Sequence, residues 1–330
     1  MALKSRVTLY MASPLFSEDS EDKWKQAAEA AYDIIKQKTD LGLDLVPYPQ
    51  IFNDVNNQKA EVILYRPTGE SGDFEKANFP IGVEGGKTST CPTQNLMEAY
   101  DMKDGTPFVW NNQSNPYDNR DPRMKYTIVC NEMKWPVDPV EIWEGGTNGL
   151  PLQNATTTGY YLKKYVNNTI SFEAGSTVTK KQHNWVLFRY GEILLNYAEA
   201  MINAFHDPNY KDAVYNMSAR EAVNQIRGRT NISLPGFPSD ITEKDFVKRL
   251  KNERRVELAF EGHRFWDVRR WKELGQTANI YGVKITKNNE VISYEKFLLE
   301  TRAVTDNMYF YPIPNTERFK NPNLGQNPGW

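Results

Sequence analysis

Glu253, Glu257, Glu261 and Asp267 are the acids whose spacing could support chemistry. A hydrolytic pair needs two carboxyl groups facing one cleft, with their proton affinities pushed apart. Here each acid has an arginine within four residues, drawn from Arg254, Arg255, Arg264, Arg269 and Arg270. Arginine stays charged and holds neighbouring carboxylates ionised, so a general acid is disfavoured and the stretch reads as scaffold. A second group is aromatic: Tyr65, Phe74, Phe79, Trp110, Trp135 and Trp143 lie among turn residues, with Arg66, Asn111, Asn112 and Gln113 close by. Sugar recognition needs that mixture, because a ring covers the C–H face of a pyranose while amides and guanidinium groups bond its hydroxyls. For each ring, burial beneath a loop is the competing reading.

Other chemistries find little material. His183, His206 and His263 are scattered singly, which disfavours a histidine metal site or a Ser-His-Asp triad. His183 and His206 read as end-of-helix residues. Cys91 and Cys130 lack zinc-ligand spacing and could pair or remain free. Asn115 to Arg123 is rich in acids but lacks the glycine and distal glutamate of a calcium loop, so it reads as a turn locked by an Asp–Arg pair. Gly82, Gly85 and Gly86 fit no phosphate-binding pattern, so no cofactor is expected.

A chain of 330 residues with 39% hydrophobic content can bury a sizeable core. A formal net charge of -2 gives no general attraction for nucleic acid. No apolar run is long enough to span a membrane, so the chain itself reads as soluble. Residues 1–38 read as a helix pair: Leu3, Val7 and Tyr10 mark the first helix, with no capping residue ahead of it, and Trp24, Ala27, Ala28, Ala31, Ile34 and Ile35 mark the second. Residues 39–182 turn rich in Gly, Pro, Asn, Asp and Thr and read as a compact excursion. Within it, Ala60 to Tyr65 is a strand or short helix, Thr93 to Tyr100 a capped helix, and Tyr126 to Val129 a strand. Residues 183–275 return to paired helices. Leu187, Tyr190, Leu194, Tyr197, Ala198, Met201, Ile202 and Phe205 repeat at three and four, and Gly262 is a joint between two later helical pieces. Residues 276–330 read as an irregular tail, extended over the helices by Pro312, Pro314, Pro322 and Pro328 and pinned by Trp330.

Two stretches, Arg189 to Ala200 and Glu253 to Trp271, resemble the C-terminal region of SusD/RagB-type outer-membrane lipoproteins. Further similarity runs through Cys91 to Leu96, Met102 to Gly105, Asn115 to Arg123, Thr158 to Lys164 and Gln326 to Trp330. The resemblance implies a mainly α fold of tetratricopeptide-like helix pairs carrying a loop-rich excursion. It implies a non-catalytic protein that binds an oligosaccharide or glycan and hands it to a SusC-like TonB-dependent transporter. It also implies outer-membrane location through an N-terminal lipid anchor that, with the first helical repeats, would precede Met1. Tyr65, Arg66, Phe74, Phe79, Trp110 and Asn112 are the expected ligand residues, on the loops 65–87 and 108–113. The competing expectations are a structural lid on the transporter, binding peptide or no free ligand, and a glycosidase.

Overall fold

The computed structural model describes residues 1–330 apart from 19, 112–114 and 174–178. Helices α1 (Ala2–Ala12) and α2 (Glu21–Ile35) open the chain, and the excursion carries β1 (Val62–Pro67), α3 (Asp73–Asn78), α4 (Gln94–Met97), α5 (Pro122–Thr127), β2 (Ile128–Val129) and β3 (Tyr161–Leu162). There follow β4 (Asn184–Arg189), α6 (Tyr190–Phe205), α7 (Ala219–Arg227), α8 (Glu243–Glu257) and α9 (Arg264–Arg270). A hairpin of β5 (Asn279–Asn288) and β6 (Val291–Thr301) precedes the short α10 (Asn315–Lys320). The fold is mainly α.

Helix α6 is the hub of the helical body. It is buried on nearly every face because α2, α7 and α8 cover it on different sides. Alanines at 27, 28 and 31 of α2 have no bulk beyond Cβ, which lets that helix lie close against α6. Ser218 and Glu221 form a reciprocal capping box that starts α7, and Thr242 caps α8 by accepting from the Asp245 N–H. Helix α8 stops at Glu257, and Gly262 turns the chain at φ +81° before α9.

Three stretches differ from the sequence reading. Residues 184–189 are strand rather than helix, because β4 pairs antiparallel with β1, setting Tyr65 opposite Val186 and Arg66 opposite Trp185. Leu187 is therefore left exposed on a ribbon, and His183 precedes a strand; His206 does end α6, in the left-handed conformation. Tyr126 to Val129 is strand only in its second half: Asp121 caps α5 and Pro122 presets its first turn, so Tyr126 and Thr127 are helical and Ile128 and Val129 form the strand. The stretch after Gly275 is not mostly irregular. Asn289 and Glu290, both at positive φ, make the two-residue turn of a long hairpin.

That hairpin packs on the excursion. Val283, Ile285 and Tyr294 join the cluster built from Met97, Tyr100, Met124 and Tyr160. Gly159 permits the contact: at φ +83° a Cβ there would meet the Val283 carbonyl oxygen at 2.4 Å. Asn95 acts as an extra strand partner, donating to the Asn279 carbonyl and accepting from the Tyr281 N–H. Of the tail, Trp330 does anchor the end, donating from its indole to the Asn307 and Phe310 carbonyls.

A buried lattice of charges joins excursion to helices. Arg123 of α5 binds Asp121, Glu253 and Glu257, while Arg189 binds Glu61, Glu257 and Glu261. Arg229 bridges Glu61 and Glu257, Arg227 holds Glu253, and Lys164 holds Glu261. A second node joins Arg254 and Arg270 to Asp267, with Glu199 bound by both Arg270 and the Trp271 indole. Burial pushes the Glu257 carboxyl up, but Arg229, Arg189 and Arg123 more than offset it and hold the carboxyl well below its ordinary range. Glu253 and Glu261 are lowered for the same reason. The scaffold reading of the acidic stretch is what these contacts describe.

Removing one member of a buried pair strands its partners, at a cost of about 3–5 kcal/mol. Glu257→Gln is expected to lower stability on that scale in urea denaturation, while Glu21→Gln, in an exposed pair with Lys25, leaves the midpoint unmoved. Because the folded carboxyls are depressed, their stabilisation is complete above the ordinary value of 4.5 and is lost as pH falls below it. Denaturation midpoints measured from pH 7 to pH 3 should stay level and then drop, and the drop should be smaller in the Glu257→Gln protein.

Candidate functional site

The structure scatters the expected ligand residues. Tyr65 and Arg66 lie on the β1–β4 ribbon, where the Tyr65 hydroxyl receives a long hydrogen bond from Asn57. Phe79 is 1% exposed, in the core under the excursion, because it closes α3 and packs edge-on against Phe172. It is a core residue. Phe74 is half-buried and meets His183 and Trp185 edge to face, supporting a cleft wall from behind. Trp110 is half-buried against the same core, its ring edge-on to Phe108 at 6.4 Å. Asn112 lies outside the described residues. Among the described residues, none of five surface clefts gathers these side chains.

A cleft of about 510 Å³ opens instead where the turn at 49–54, α5 and the segment 163–169 meet. Its rings come from Phe52, Tyr126, Trp135 and Tyr165. Phe52 packs edge to face on both Tyr48 and Tyr165, and Tyr165 is turned inward by a positive φ and leans on Trp185. Those rings are largely buried, so Tyr126, half-exposed, is the one that presents a face. Its hydroxyl accepts from the Asn231 amide at 3.2 Å, which fixes the ring.

The polar groups of the cleft are amides, one acid, the His183 ring and three lysines. Asn167 is held by its backbone N–H, which donates to Glu75, and its side-chain oxygen accepts from Thr169. Glu75 also meets the His183 ring at 2.9 Å, and His183 stacks on Trp185. Two buried atoms of the wall lack partners among the described residues: the Asn53 side-chain oxygen and the Trp135 indole N–H. One is an acceptor and the other a donor. Each desolvated group left unpaired costs about 1–3 kcal/mol, and a ligand offering both functions would offset that cost.

The floor is cationic but occupied. Burial lowers Lys164 to about 8, although the Glu261 charge opposes the shift. Its ammonium donates to the Tyr48 hydroxyl, the Ala259 carbonyl and Glu261, so it is not free to act as a nucleophile. Among the described residues Asp54 is the only carboxylate lining the cleft, and it pairs with Lys181 at 3.4 Å. A hydrolytic acid pair is therefore missing from this wall. Cys91 and Cys130 are both free, and burial pushes the Cys130 thiol up to about 12. Among the described residues no cluster of His, Cys, Asp or Glu could hold a metal, and no helix is long and apolar enough to cross a membrane.

The SusD family model matches residues 50–330. The chain belongs to the SusD family. SusD-like protein P2 of Formosa agariphila is 29% identical over 163 residues, covering 48% of this chain and 28% of that protein. A SusD-like protein from Bacteroides fragilis superposes with a TM-score of 0.77 at 26% identity, covering all of this chain and 64% of the other. A SusD-like carbohydrate-binding protein from the same species gives 0.77 at 24% identity, covering 98% and 64%. The chain thus spans less than two thirds of the length of these relatives.

Sequence reasoning named Trp135 among the loop aromatics but missed Asn53, Tyr126 and Asn167. A usable signal was present twice: a ring followed within three residues by paired polar turn residues, in Phe52-Asn53-Asp54 and in Tyr165-Val166-Asn167-Asn168. Phe79→Ala should cost about 3–5 kcal/mol of stability, as a deleted core ring does, when followed by thermal or urea unfolding. A ligand contact at that position would instead leave the midpoint intact and lower affinity.

Proposed function

We propose that this protein is a non-catalytic glycan-binding component of an outer-membrane nutrient uptake system, gripping an oligosaccharide in the cleft between Asn53, Tyr126 and Trp135. The observation that carries the reading is the unpaired acceptor and unpaired donor on one cleft wall, beside the half-buried Tyr126 ring. A sugar hydroxyl both donates and accepts, so adjacent hydroxyls satisfy both atoms while the ring C–H face lies on Tyr126. Membership of the SusD family and the likeness to a carbohydrate-binding protein of Bacteroides fragilis favour the same class of ligand. On this reading the whole protein is lipid-anchored at the outer membrane and delivers its ligand to a SusC-like TonB-dependent transporter, as the family resemblance implies.

The cleft geometry favours capture over hydrolysis, since its single acid is already held by a lysine. Titrating a panel of neutral oligosaccharides by calorimetry should give binding without release of reducing sugar. Asn53→Ala and Trp135→Phe should each weaken that binding by about tenfold, equivalent to about 1.4 kcal/mol. Asn53→Ala should leave the thermal midpoint level or raise it, because it deletes a desolvated oxygen with no partner. Unchanged affinity in both variants would contradict the assignment, and sugar release would contradict the non-catalytic reading.

A further inference from the structure

A second cavity, of about 480 Å³, lies on the opposite side of the acidic stretch from the charge lattice, along the outward face of α8. Lys244, Lys248, Lys251 and Arg255 come from successive turns of that helix, and Arg264 from the start of α9. Six basic residues and three acids line it. The acids are already matched: Glu98 binds Lys296, Asp101 binds Arg227 and Arg249, and Glu273 binds Lys251. Lys244, Lys248, Arg255 and Arg264 have no carboxylate within 4.0 Å among the described residues. The cavity therefore carries an excess of positive charge that its own acids do not answer.

The two arginines contrast with those of the lattice. Arg189 and Arg123 spend their N–H groups on several carboxylates, whereas among the described residues Arg255 donates once, to the Asn95 carbonyl, and Arg264 once, to the Gln276 side chain. A guanidinium has five N–H groups, so each retains unused donors in a fixed fork that matches a planar oxyanion. Burial, with a smaller contribution from the neighbouring Arg264 charge, lowers Arg255 to about 10. Beside them Pro107, Val247 and the half-buried Phe108 ring supply an apolar wall. The Phe108 ring is itself fixed by the Arg120 guanidinium, 3.7 Å from its centroid.

We propose that this cavity binds the carboxylate or sulfate group of an acidic oligosaccharide, with Arg255 and Arg264 gripping the anion and Phe108 and Val247 covering the adjoining sugar face. The site is distinct from the Asn53–Trp135 cleft, and it rests on the glycan-binding reading only for the nature of the molecule that carries the anion. An anion placed between Arg255 and Arg264 relieves their mutual repulsion and occupies donors that no protein group uses. A neutral glycan does neither.

The test uses the whole chain and three probes: tetragalacturonate, its fully methyl-esterified form, and sodium sulfate, compared at equal ionic strength by calorimetry. Tetragalacturonate should bind at least about tenfold more tightly than the ester, with an affinity that falls as salt rises. Arg264→Gln and the exposed Lys248→Gln should each reduce that preference, while Asn53→Ala leaves it intact; circular dichroism checks that each variant is folded. Equal affinity for acid and ester, or a preference untouched by Arg264→Gln and Lys248→Gln, would overturn the proposal while leaving neutral glycan binding in the cleft to stand. Binding of sulfate alone, without the oligosaccharide, would overturn the glycan part and show an adventitious ion only. Absence of binding by every neutral and acidic glycan would overturn both readings together.

Discussion

The interaction on which the rest depends is the set of ion pairs sealed between the excursion and the helices. Five cations, Arg123, Lys164, Arg189, Arg227 and Arg229, face five carboxylates, Asp121, Glu61, Glu253, Glu257 and Glu261. Removing such groups from water costs several kcal/mol per ion, and the attraction recovers it only when geometry and remaining hydrogen bonds are complete. A lattice of this kind is therefore intolerant of partial assembly. Its members come from six separate parts of the sequence, so satisfying all of them fixes where the excursion sits on α8.

That constraint explains how a region with so little regular structure can present a defined cleft. Tyr48 and Lys164 share a hydrogen bond, and both bond backbone or side-chain groups at the end of α8 and just beyond. Phe52 and Tyr165 pack on the same anchor, which places the adjoining Asn53 and Asn167. The cleft-wall amides are thus one or two residues away from rings, Phe52 and Tyr165, that pack on this anchor. Framework and cleft are neighbours in sequence but differ in chemistry: paired arginines on one side, unpaired amide and indole atoms on the other. The outward face of α8 repeats the contrast, since the helix that buries Glu253 and Glu257 turns Arg255 toward a cavity where no carboxylate meets it.

Legibility in the sequence followed periodicity. Helices α2 and α6 show in their apolar spacing, and the cap at Thr93 shows in residue type, because both signals are local. The arginine-laced stretch was readable as scaffold from charge proximity alone. Residues 184–189 were misread because Leu187 and Tyr190 continue the helical count, whereas pairing with β1, over a hundred residues away, decides their conformation. The hairpin was hidden by its turn: Asn289-Glu290 is not the Asn-Gly pair that announces such a turn, and Glu290 adopts positive φ under tertiary constraint. The cleft residues were the least legible. Ring type says nothing of depth, so Phe79 and Tyr126 look equivalent in sequence yet one is sealed and the other presents a face.

The most direct test of the framework claim is the coupling between Arg123 of the excursion and Glu253 of α8, measured by equilibrium denaturation of Arg123→Met, Glu253→Met and the double variant. Contacting members of a buried charge network couple by up to about 3 kcal/mol. A coupling of about 2–3 kcal/mol is the predicted result, with the double variant much less destabilised than the sum of the two singles. A coupling below about 0.5 kcal/mol, the scale of independent sites, would contradict the account by showing that these charges do not hold the excursion to the helices.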